Sequence, residues 1–170
     1  MKTRQKDREV PGPDEPWSEI RPGLWMGGHY WIDMAGELQT AVVGGEFDLV
    51  VSLFTLPGHG PSAAVEHVVL ELPDGPLVPD QIAAVQQLAI RVSAAARAGR
   101  SVLVRCHSGY NRSGLVVGQV LIELGSDPGA AVDLIRRKRS PWALNNEVFE
   151  QYLTAGLDAA YLLTGLEALP

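Results

Sequence analysis

Apolar residues fall into short runs along the chain, and the spacing within each run separates strands from helices. Continuous apolar runs bounded by glycine, proline or polar residues are typical of buried strands. Strands are predicted over residues 24–27, 47–54, 65–72 and 101–106, each of which is rich in apolar residues. The run over 47–54 is the most typical of a strand buried within a parallel sheet.

Other runs repeat their apolar residues at intervals of three and four, which is the spacing of one helix face. The clearest run ends at Gly99 and aligns Ile82, Val85, Leu88, Ala89 and Val92. Further helices are predicted over 33–43, over 115–124, from Asp127 onward and over 146–164. Gly44 and Gly45 would end the helix over 33–43. Asp127 is a suitable N-cap because a proline follows it at the first helical position.

Strands that alternate with helices predict one α/β domain with a mainly parallel central sheet flanked by helices. We expect this domain over residues 17–166. Residues 1–16 hold four basic and four acidic side chains with three prolines and almost no apolar residue. That composition predicts a disordered N-terminal tail. A sheet of the predicted kind places ligand sites beyond the carboxyl ends of its strands.

The composition narrows the class of protein. A chain of 170 residues, 46% of them hydrophobic, is long enough to bury one core. A single cysteine excludes an intrachain disulfide and suits a reducing cytosol, so we expect a cytoplasmic protein. We expect no membrane partner, because no apolar stretch reaches the length of a membrane helix and the charged N-terminus does not resemble a signal peptide. The net charge of −6 argues against a nucleic-acid partner.

The one cysteine, Cys106, stands where a predicted strand ends and a polar loop begins. Arg112 and Ser113 follow after five intervening residues and open the next helix. Backbone N–H groups of such a loop converge on an anion, and an arginine fork grips two phosphate oxygens. Gly109 permits the positive φ that a tightly curled loop requires. The same positive surroundings favour the nucleophilic thiolate, whereas a buried structural cysteine would not explain the polar residues after it.

The pattern Cys106-x5-Arg112-Ser113 resembles the signature loop of the cysteine-dependent protein tyrosine phosphatase superfamily, in particular its dual-specificity phosphatase-like branch. The likeness extends over about residues 20–153, since residues 20–27 resemble the opening strand of that branch and residues 139–149 resemble the segment that leads into its last helix. The resemblance implies a dual-specificity phosphatase-like fold. It also implies hydrolysis of phosphomonoesters through a cysteinyl-phosphate, without a metal or organic cofactor. The expected substrates are phosphorylated proteins, carrying phosphotyrosine and also phosphoserine or phosphothreonine, or small phosphomonoesters.

The resemblance assigns roles to single residues. Cys106 is the expected nucleophile, Arg112 the phosphate clamp, and Ser113 the hydroxyl that assists departure of the thiolate. The residues expected to bind the substrate phosphate are His107, Ser108, Gly109, Tyr110, Asn111 and Arg112.

The proton donor of this family is an aspartate on a loop roughly thirty residues before the cysteine. Asp74 lies 32 positions before Cys106, between proline and glycine residues that let a loop close over substrate. A simple turn is the alternative for Asp74. Asp80 is the rival acid, but it stands at a predicted helix start, where it would serve as a cap. We expect Asp74 to be the general acid.

Three further positions have two interpretations each. Arg105 stands where the family usually has histidine, and it either places positive charge near the sulfur or faces solvent. Arg139 resembles a basic residue of the family's active-site wall and offers a second anion contact, or it complements the dipole at a helix end. Asn146 caps the last helix or supports the same wall.

The remaining histidines do not indicate a metal site, because His29, His59 and His67 form no ligand pattern with Cys106. Two other function classes stay open. The stretch 109–114 also resembles the loop of cysteine-dependent RNA 5′-triphosphatases, phosphoanhydride hydrolases that dispense with the aspartic acid. A non-catalytic phosphate-binding module is the other class. The presence of Asp74 argues against both.

Overall fold

The computed structural model describes residues 11–167, which form a five-stranded sheet, a two-stranded hairpin and five helices. The strands are β1 (Trp17–Arg21), β2 (Leu24–Gly28), β3 (Tyr30–Ile32), β4 (Leu38–Thr40), β5 (Leu49–Ser52), β6 (Glu66–Val69) and β7 (Val102–Cys106). The helices are α1 (Pro79–Arg97), α2 (Arg112–Glu123), α3 (Pro128–Lys138), α4 (Glu147–Ala155) and α5 (Leu157–Glu167).

The sheet has the strand order β1-β2-β7-β5-β6, with β7 at its centre. The four strands from β2 to β6 in this order are parallel, and β1 runs antiparallel at the edge. In the register of the sheet, Gly28 lies beside Cys106 and Ser52 lies beside Arg105. The mainly parallel α/β sheet predicted from the sequence is therefore confirmed. Within residues 11–167, no helix combines the length and the apolar character needed to cross a bilayer.

Alternate residues of the central strands enter two separate cores, because successive side chains of a strand point to opposite faces. The larger core joins Val102 and Val104 of β7 to residues from all five helices. The smaller core contains Leu103 and Val50 and is covered by Phe47 and neighbouring tryptophans. Cys106 follows the alternation of the larger core, whereas Arg105 lies on the face of the smaller one.

The helix predicted over 33–43 is wrong, since these residues lie in and after the β3–β4 hairpin. Asp33 explains the difference. Its Oδ1 accepts hydrogen bonds from the N–H groups of Ala35 and Glu37, which closes a turn and competes with helix formation. The single helix predicted over 146–164 is also divided, because Gly156 adopts a φ of 94° between α4 and α5.

Other sequence predictions are confirmed. Asp127 caps α3 by accepting hydrogen bonds from two backbone N–H groups of the first turn. Asn146 caps α4 by accepting a hydrogen bond from the N–H of Val148 at 3.1 Å. Of the predicted N-terminal tail, residues 1–10 lie outside the described residues, and residues 11–16 run beside the end of α3. The disorder predicted for the tail stays a prediction.

Candidate active site

The loop that follows Cys106 lies at the carboxyl end of the central strand. β7 ends at Cys106 and α2 begins at Arg112, and we call residues 106–112 the cysteine loop. Gly109 has a φ of 74°, which a side chain would strain, and a Cβ there would clash with the backbone of Gly27. The positive φ predicted for Gly109 is thus confirmed. The glycine lets the loop curl tightly against β2.

Every backbone carbonyl from Cys106 to Tyr110 accepts a hydrogen bond from outside the loop. At the start of the loop, the N–H of His29 lies 3.0 Å from the Cys106 oxygen and 2.9 Å from the His107 oxygen. At its end, the N–H of Leu144 donates to the Tyr110 oxygen at 3.0 Å. The two carbonyls between these ends are bonded by a side chain.

Arg139 supplies the donors for the middle of the loop. Its Nε lies 3.1 Å from the Gly109 oxygen and its Nη2 lies 3.4 Å from the Ser108 oxygen. Only 3% of Arg139 is exposed, and burial lowers its pKa to about 10, so the guanidinium remains a cation at neutral pH. The second anion contact considered for Arg139 is wrong, because protein acceptors occupy its N–H groups.

Because these carbonyls point out of the loop, the N–H groups of the same peptides point into it. A trans peptide points its N–H and C=O in opposite directions, so the five bonded carbonyls direct the N–H groups of residues 107–111 toward the inside of the curve. None of these N–H groups is bonded to an acceptor among residues 11–167. Together with the N-terminus of α2, they form a concave set of donors that suits an anion.

Arg112 closes this set of donors at the first position of α2. Its Nη1 donates to the Leu72 oxygen at 3.3 Å, and its Cζ lies 5.4 Å from the centroid of the Phe54 ring. Its Nε is buried and has no hydrogen-bond partner among the described residues. An unpaired cationic N–H is costly to bury, and an oxyanion would satisfy it. Arg112 is therefore oriented from one side and keeps donors available on the other.

Cys106 and Ser113 form the centre of the site. The Sγ of Cys106 lies 3.4 Å from the Oγ of Ser113, and both residues are buried. A neutral thiol donates to this hydroxyl oxygen, whereas a thiolate accepts the hydroxyl proton instead. The structure thus brings the predicted nucleophile and the predicted helper hydroxyl into contact.

Asp74 lies beside the cysteine loop and is held by two amide side chains. The Nδ2 of Asn111 lies 3.2 Å from one carboxyl oxygen, and the Nδ2 of Asn146 lies 2.9 Å from the other. Asn146 therefore fulfils both interpretations open to it, as a helix cap and as a support of the site. The side chain of Asn111 is engaged away from the inside of the loop, so only its N–H is directed at an anion.

Asp80 lies elsewhere. It is exposed in the first turn of α1, where an acid favours the helix dipole, and the N-cap of α1 is Val78. The capping role expected for Asp80 is therefore wrong in detail. The structure brings Asp74 to the cysteine loop and leaves Asp80 at a helix start.

Arg105 is 1% exposed, so the solvent-facing interpretation of this residue is wrong. Its guanidinium donates to three neutral acceptors at 2.6 to 2.9 Å, which are Ser52 Oγ, His59 O and Gly60 O. Burial lowers its pKa to about 10, which leaves it charged at neutral pH. The side chain lies on the face of β7 opposite to Cys106. Arg105 therefore fixes the loop that contains His59.

That loop contributes to an aromatic rim beside Cys106. The ring of His107 packs 5.2 Å from the rings of Tyr30 and Phe54, and the ring of His59 lies 5.3 Å from Tyr30. Burial, with a contribution from the Arg112 cation, lowers the pKa of His107. Burial also lowers the pKa of His29, which lies behind the rim, to about 4. His29 and His107 are thus neutral at neutral pH, and the rim offers aromatic rings.

Sequence patterns did not reveal His29, Tyr30 and Leu144, which act on the cysteine loop through backbone groups. Leu144 has a φ of 57°, a left-handed conformation that is uncommon for leucine. Its carbonyl accepts a hydrogen bond from Arg136, and its N–H bonds Tyr110. Any residue type can supply a backbone N–H, so the side-chain pattern carries no signal for this role.

The sequence matches no family model and no curated protein at a significant level. Solved structures do match the fold. The crystal structure of human DUSP28 superposes with a TM-score of 0.64 at 22% identity, covering 87% of this chain and 99% of that one. A mouse putative dual specificity phosphatase complexed with zinc tungstate superposes with a TM-score of 0.60 at 20% identity, covering 92% of this chain and 96% of that one.

A third similar structure is Tk-PTP in the active form, with a TM-score of 0.57 and 20% identity over 82% of this chain and 97% of that one. At these identities the likeness concerns the fold. The protein has a dual-specificity phosphatase-like fold, as the resemblance of its sequence implied.

Proposed function

We propose that the protein is a cysteine-dependent phosphomonoesterase whose catalytic domain spans residues 17–166. The observation that carries this proposal is the outward bonding of all five carbonyls from Cys106 to Tyr110. It turns an arc of N–H groups toward one point, at the end of the strand that carries the only cysteine. Phosphate has the charge and the acceptor oxygens that such an arc requires.

The first chemical step transfers the phosphoryl group to sulfur. The Cys106 thiolate attacks phosphorus in line with the leaving oxygen, so that a P–S bond forms as the P–O bond breaks. The loop N–H groups and Arg112 stabilise the charge on the three equatorial oxygens. Asp74 in its protonated form donates its proton to the leaving oxygen, and its position next to the loop supports this role.

The second step releases phosphate. Asp74, now a carboxylate, takes a proton from a water molecule that attacks phosphorus, and the P–S bond breaks. Ser113 donates its hydroxyl proton in a hydrogen bond to the departing thiolate, and its position 3.4 Å from Sγ supports this role. The cycle regenerates the Cys106 thiolate and the Asp74 acid, and it uses no metal or organic cofactor.

The aromatic rim supports an aryl phosphate, and hence phosphotyrosine in a protein, as a good substrate. Neutral rings of Tyr30, Phe54 and His107 provide edges and faces against which a phenyl ring packs. Burial lowers the pKa of His107, so this ring adds no full positive charge at neutral pH. We propose phosphorylated proteins or small phosphomonoesters as substrates, in a cytoplasmic setting, with phosphoserine and phosphothreonine accepted less well because they lack the ring.

The test compares catalysis with binding in two variants. Cys106→Ser should lose hydrolysis of para-nitrophenyl phosphate and still bind inorganic phosphate in a calorimetric titration. Arg112→Ala should lose both properties, because the guanidinium contacts the phosphate in the ground state and in the transition state. Activity of Cys106→Ser within about tenfold of the unaltered protein would contradict the covalent mechanism.

The same assay separates the other function classes. Phosphate release from triphosphate-ended RNA that exceeds release from the aryl phosphate would favour a phosphoanhydride hydrolase. Phosphate binding without any turnover would favour a non-catalytic module.

A further inference from the structure

The N-terminal segment and the cysteine loop are bonded by the same side chain. Arg139 donates to the loop through Nε and Nη2, and through Nη1 it donates to the N-terminal segment. The acceptors of Nη1, at 3.0 to 3.2 Å, are Glu15 O, Pro16 O and Ser18 Oγ. We call residues 11–16 the strap. The hydrogen bonds of Nη1 thus depend on the strap and on its neighbour Ser18.

We propose that Arg139 is a positioning residue and that the strap belongs to the anion-binding apparatus. This inference rests on the proposed function. The strap holds one half of the guanidinium so that the other half keeps the Ser108 and Gly109 carbonyls turned outward. The N–H groups of Gly109 and Tyr110 belong to the same two peptides and are thereby kept turned inward.

The buried charge of Arg139 makes the strap necessary. No carboxylate among the described residues forms an ion pair with Arg139, and its hydrogen-bond acceptors are neutral oxygens. A buried guanidinium is stable only when its five N–H donors are satisfied. Without the strap, Nη1 faces water, and the side chain gains free energy by turning toward solvent. The carbonyls of Ser108 and Gly109 then lose their donors, and their peptides are free to rotate.

Close backbone contacts connect the strap to the loop a second time. A Cβ placed on Gly27 would lie 2.5 Å from the Pro16 oxygen, and a Cβ placed on Gly109 would clash with the Gly27 backbone. The strap therefore lies against the backbone of β2, where the Trp17 side chain also packs on Gly27, and β2 lies against the loop.

The strap is attached by polar contacts at its two ends. Pro11 O accepts a hydrogen bond from Ser140 Oγ at 2.7 Å, and Arg139 bonds the other end. An open cleft of about 390 Å³ lies between the strap and the end of α3, and Pro13 in the middle of the strap is buried. No residue of the strap belongs to either core, so the strap can detach without disrupting them.

The experiment measures the dissociation constant of inorganic phosphate by calorimetry in truncated and substituted proteins. Deletion of residues 1–10 should leave the constant unchanged within about twofold, whereas deletion of residues 1–16 should raise it about tenfold or more. Arg139→Met should raise it to a similar extent. The truncation of residues 1–16 combined with Arg139→Met should be no worse than either change alone, because both remove the same restraint.

Arg136→Met is the matched control. Arg136 lies on α3, three residues before Arg139, and also bonds backbone carbonyls, but it pairs with Glu150 and does not contact the strap. The effect of Arg136→Met on the dissociation constant of phosphate should therefore multiply with the effect of the truncation. A merely structural loss of stability would lower the thermal midpoint of every variant and would not produce this difference between Arg139 and Arg136.

Gly27→Ala keeps the inference testable if the truncated chain fails to fold. The added methyl group would meet both the Trp17 side chain and the Pro16 oxygen, so it displaces Pro16 together with the start of β1 while Arg139 itself is not substituted, and it should also weaken phosphate binding about tenfold. Two results would overturn the role of the strap and leave the proposed function standing. One is unchanged phosphate binding in the folded truncation or in Gly27→Ala. The other is that the effects of the truncation and of Arg139→Met multiply. A full-length protein that binds no phosphate would overturn the proposed function as well.

Discussion

The Nδ2 of Asn111 lies 3.2 Å from the Oδ2 of Asp74, so the cysteine loop itself holds the side chain assigned as the acid. Asn146 bonds the other carboxyl oxygen from the start of α4. Two elements that are distant in sequence thus fix one carboxyl group beside the cysteine. Both donors are uncharged amides, so they orient the acid without forming an ion pair with it.

Asp74→Asn should separate the acid from the rest of the site. We expect kcat to fall roughly 10²–10⁴-fold with a poorly leaving alkyl or phenyl phosphate, and much less with para-nitrophenyl phosphate, since only the poor leaving group needs a proton. Asp80→Asn is the control, because Asp80 is exposed at the start of α1. The measurement is kcat for both substrates. If Asp80→Asn shows the leaving-group dependence and Asp74→Asn does not, the acid is Asp80.

Asn146 combines two roles that two substitutions can separate. Asn146→Ser keeps an N-cap oxygen but is too short to reach Asp74, whereas Asn146→Ala loses both contacts. Both variants should lower kcat for a poor leaving group to the same extent. Only Asn146→Ala should lose about 1 kcal/mol of stability in chemical denaturation. A kcat for Asn146→Ser equal to that of the unaltered protein would show that the contact with Asp74 does not position the acid.

The sequence predicted the parts of the fold that depend on side-chain periodicity. Val50 and Leu103 lie in apolar runs that are typical of a buried strand, and Asp127 carries its own capping signal. The helix over 33–43 was predicted wrongly because Gly44 and Gly45 suggested a helix end, and the turn that Asp33 closes was not foreseen. Local hydrogen bonding by one side chain outweighed the pattern around it.

The candidate site was likewise predictable from the sequence only in part. Cys106 and Arg112 were indicated by residue type and spacing, and the resemblance to the phosphatase superfamily added Ser113 and Asp74 as candidates. The donors from His29 and Leu144 escaped notice because backbone groups leave no mark in the sequence. The contacts of Arg105 also could not be predicted, since they join residues 45 to 53 positions apart.

His29 should make stability depend on pH between 4 and 6.5. Unfolded histidine binds a proton near pH 6.5, and the folded protein does so only near pH 4. Between these values the unfolded state binds more protons, so the free energy of unfolding falls as the pH is lowered through this interval and is restored above it. The loss attributable to His29 is at most about 3 kcal/mol.

His29→Gln tests this dependence, because a glutamine amide can still donate to the Phe54 oxygen but does not titrate. Denaturation at pH 7 and at pH 4.5 should show a smaller loss of stability in the variant. The acids with lowered pKa values, Asp33, Asp48 and Glu66, lose their contribution only at lower pH and affect both proteins equally. Identical pH dependence in the two proteins would mean that His29 is not a buried neutral base.

Arg105 should stabilise the protein without acting on the sulfur. Arg105→Met leaves the oxygens of His59 and Gly60 without this donor and should cost about 2 kcal/mol or more. The pH dependence of Cys106 alkylation by iodoacetamide should stay that of the unaltered protein, because the two side chains lie on opposite faces of β7. A shifted alkylation profile would show instead that Arg105 takes over the role of the histidine that usually precedes the cysteine.

The covalent intermediate on Cys106 is the central claim, and Ser113→Ala offers the most direct measurement of it. The variant lacks the hydroxyl that assists the departing thiolate, so the second step should become slower than the first. Rapid quenching with para-nitrophenyl phosphate should then yield a burst of nitrophenol and a protein that carries one phosphoryl group, located on Cys106 by peptide mass spectrometry. Nitrophenol release without a burst, with no phosphoryl group on Cys106 at any quench time, would contradict the account.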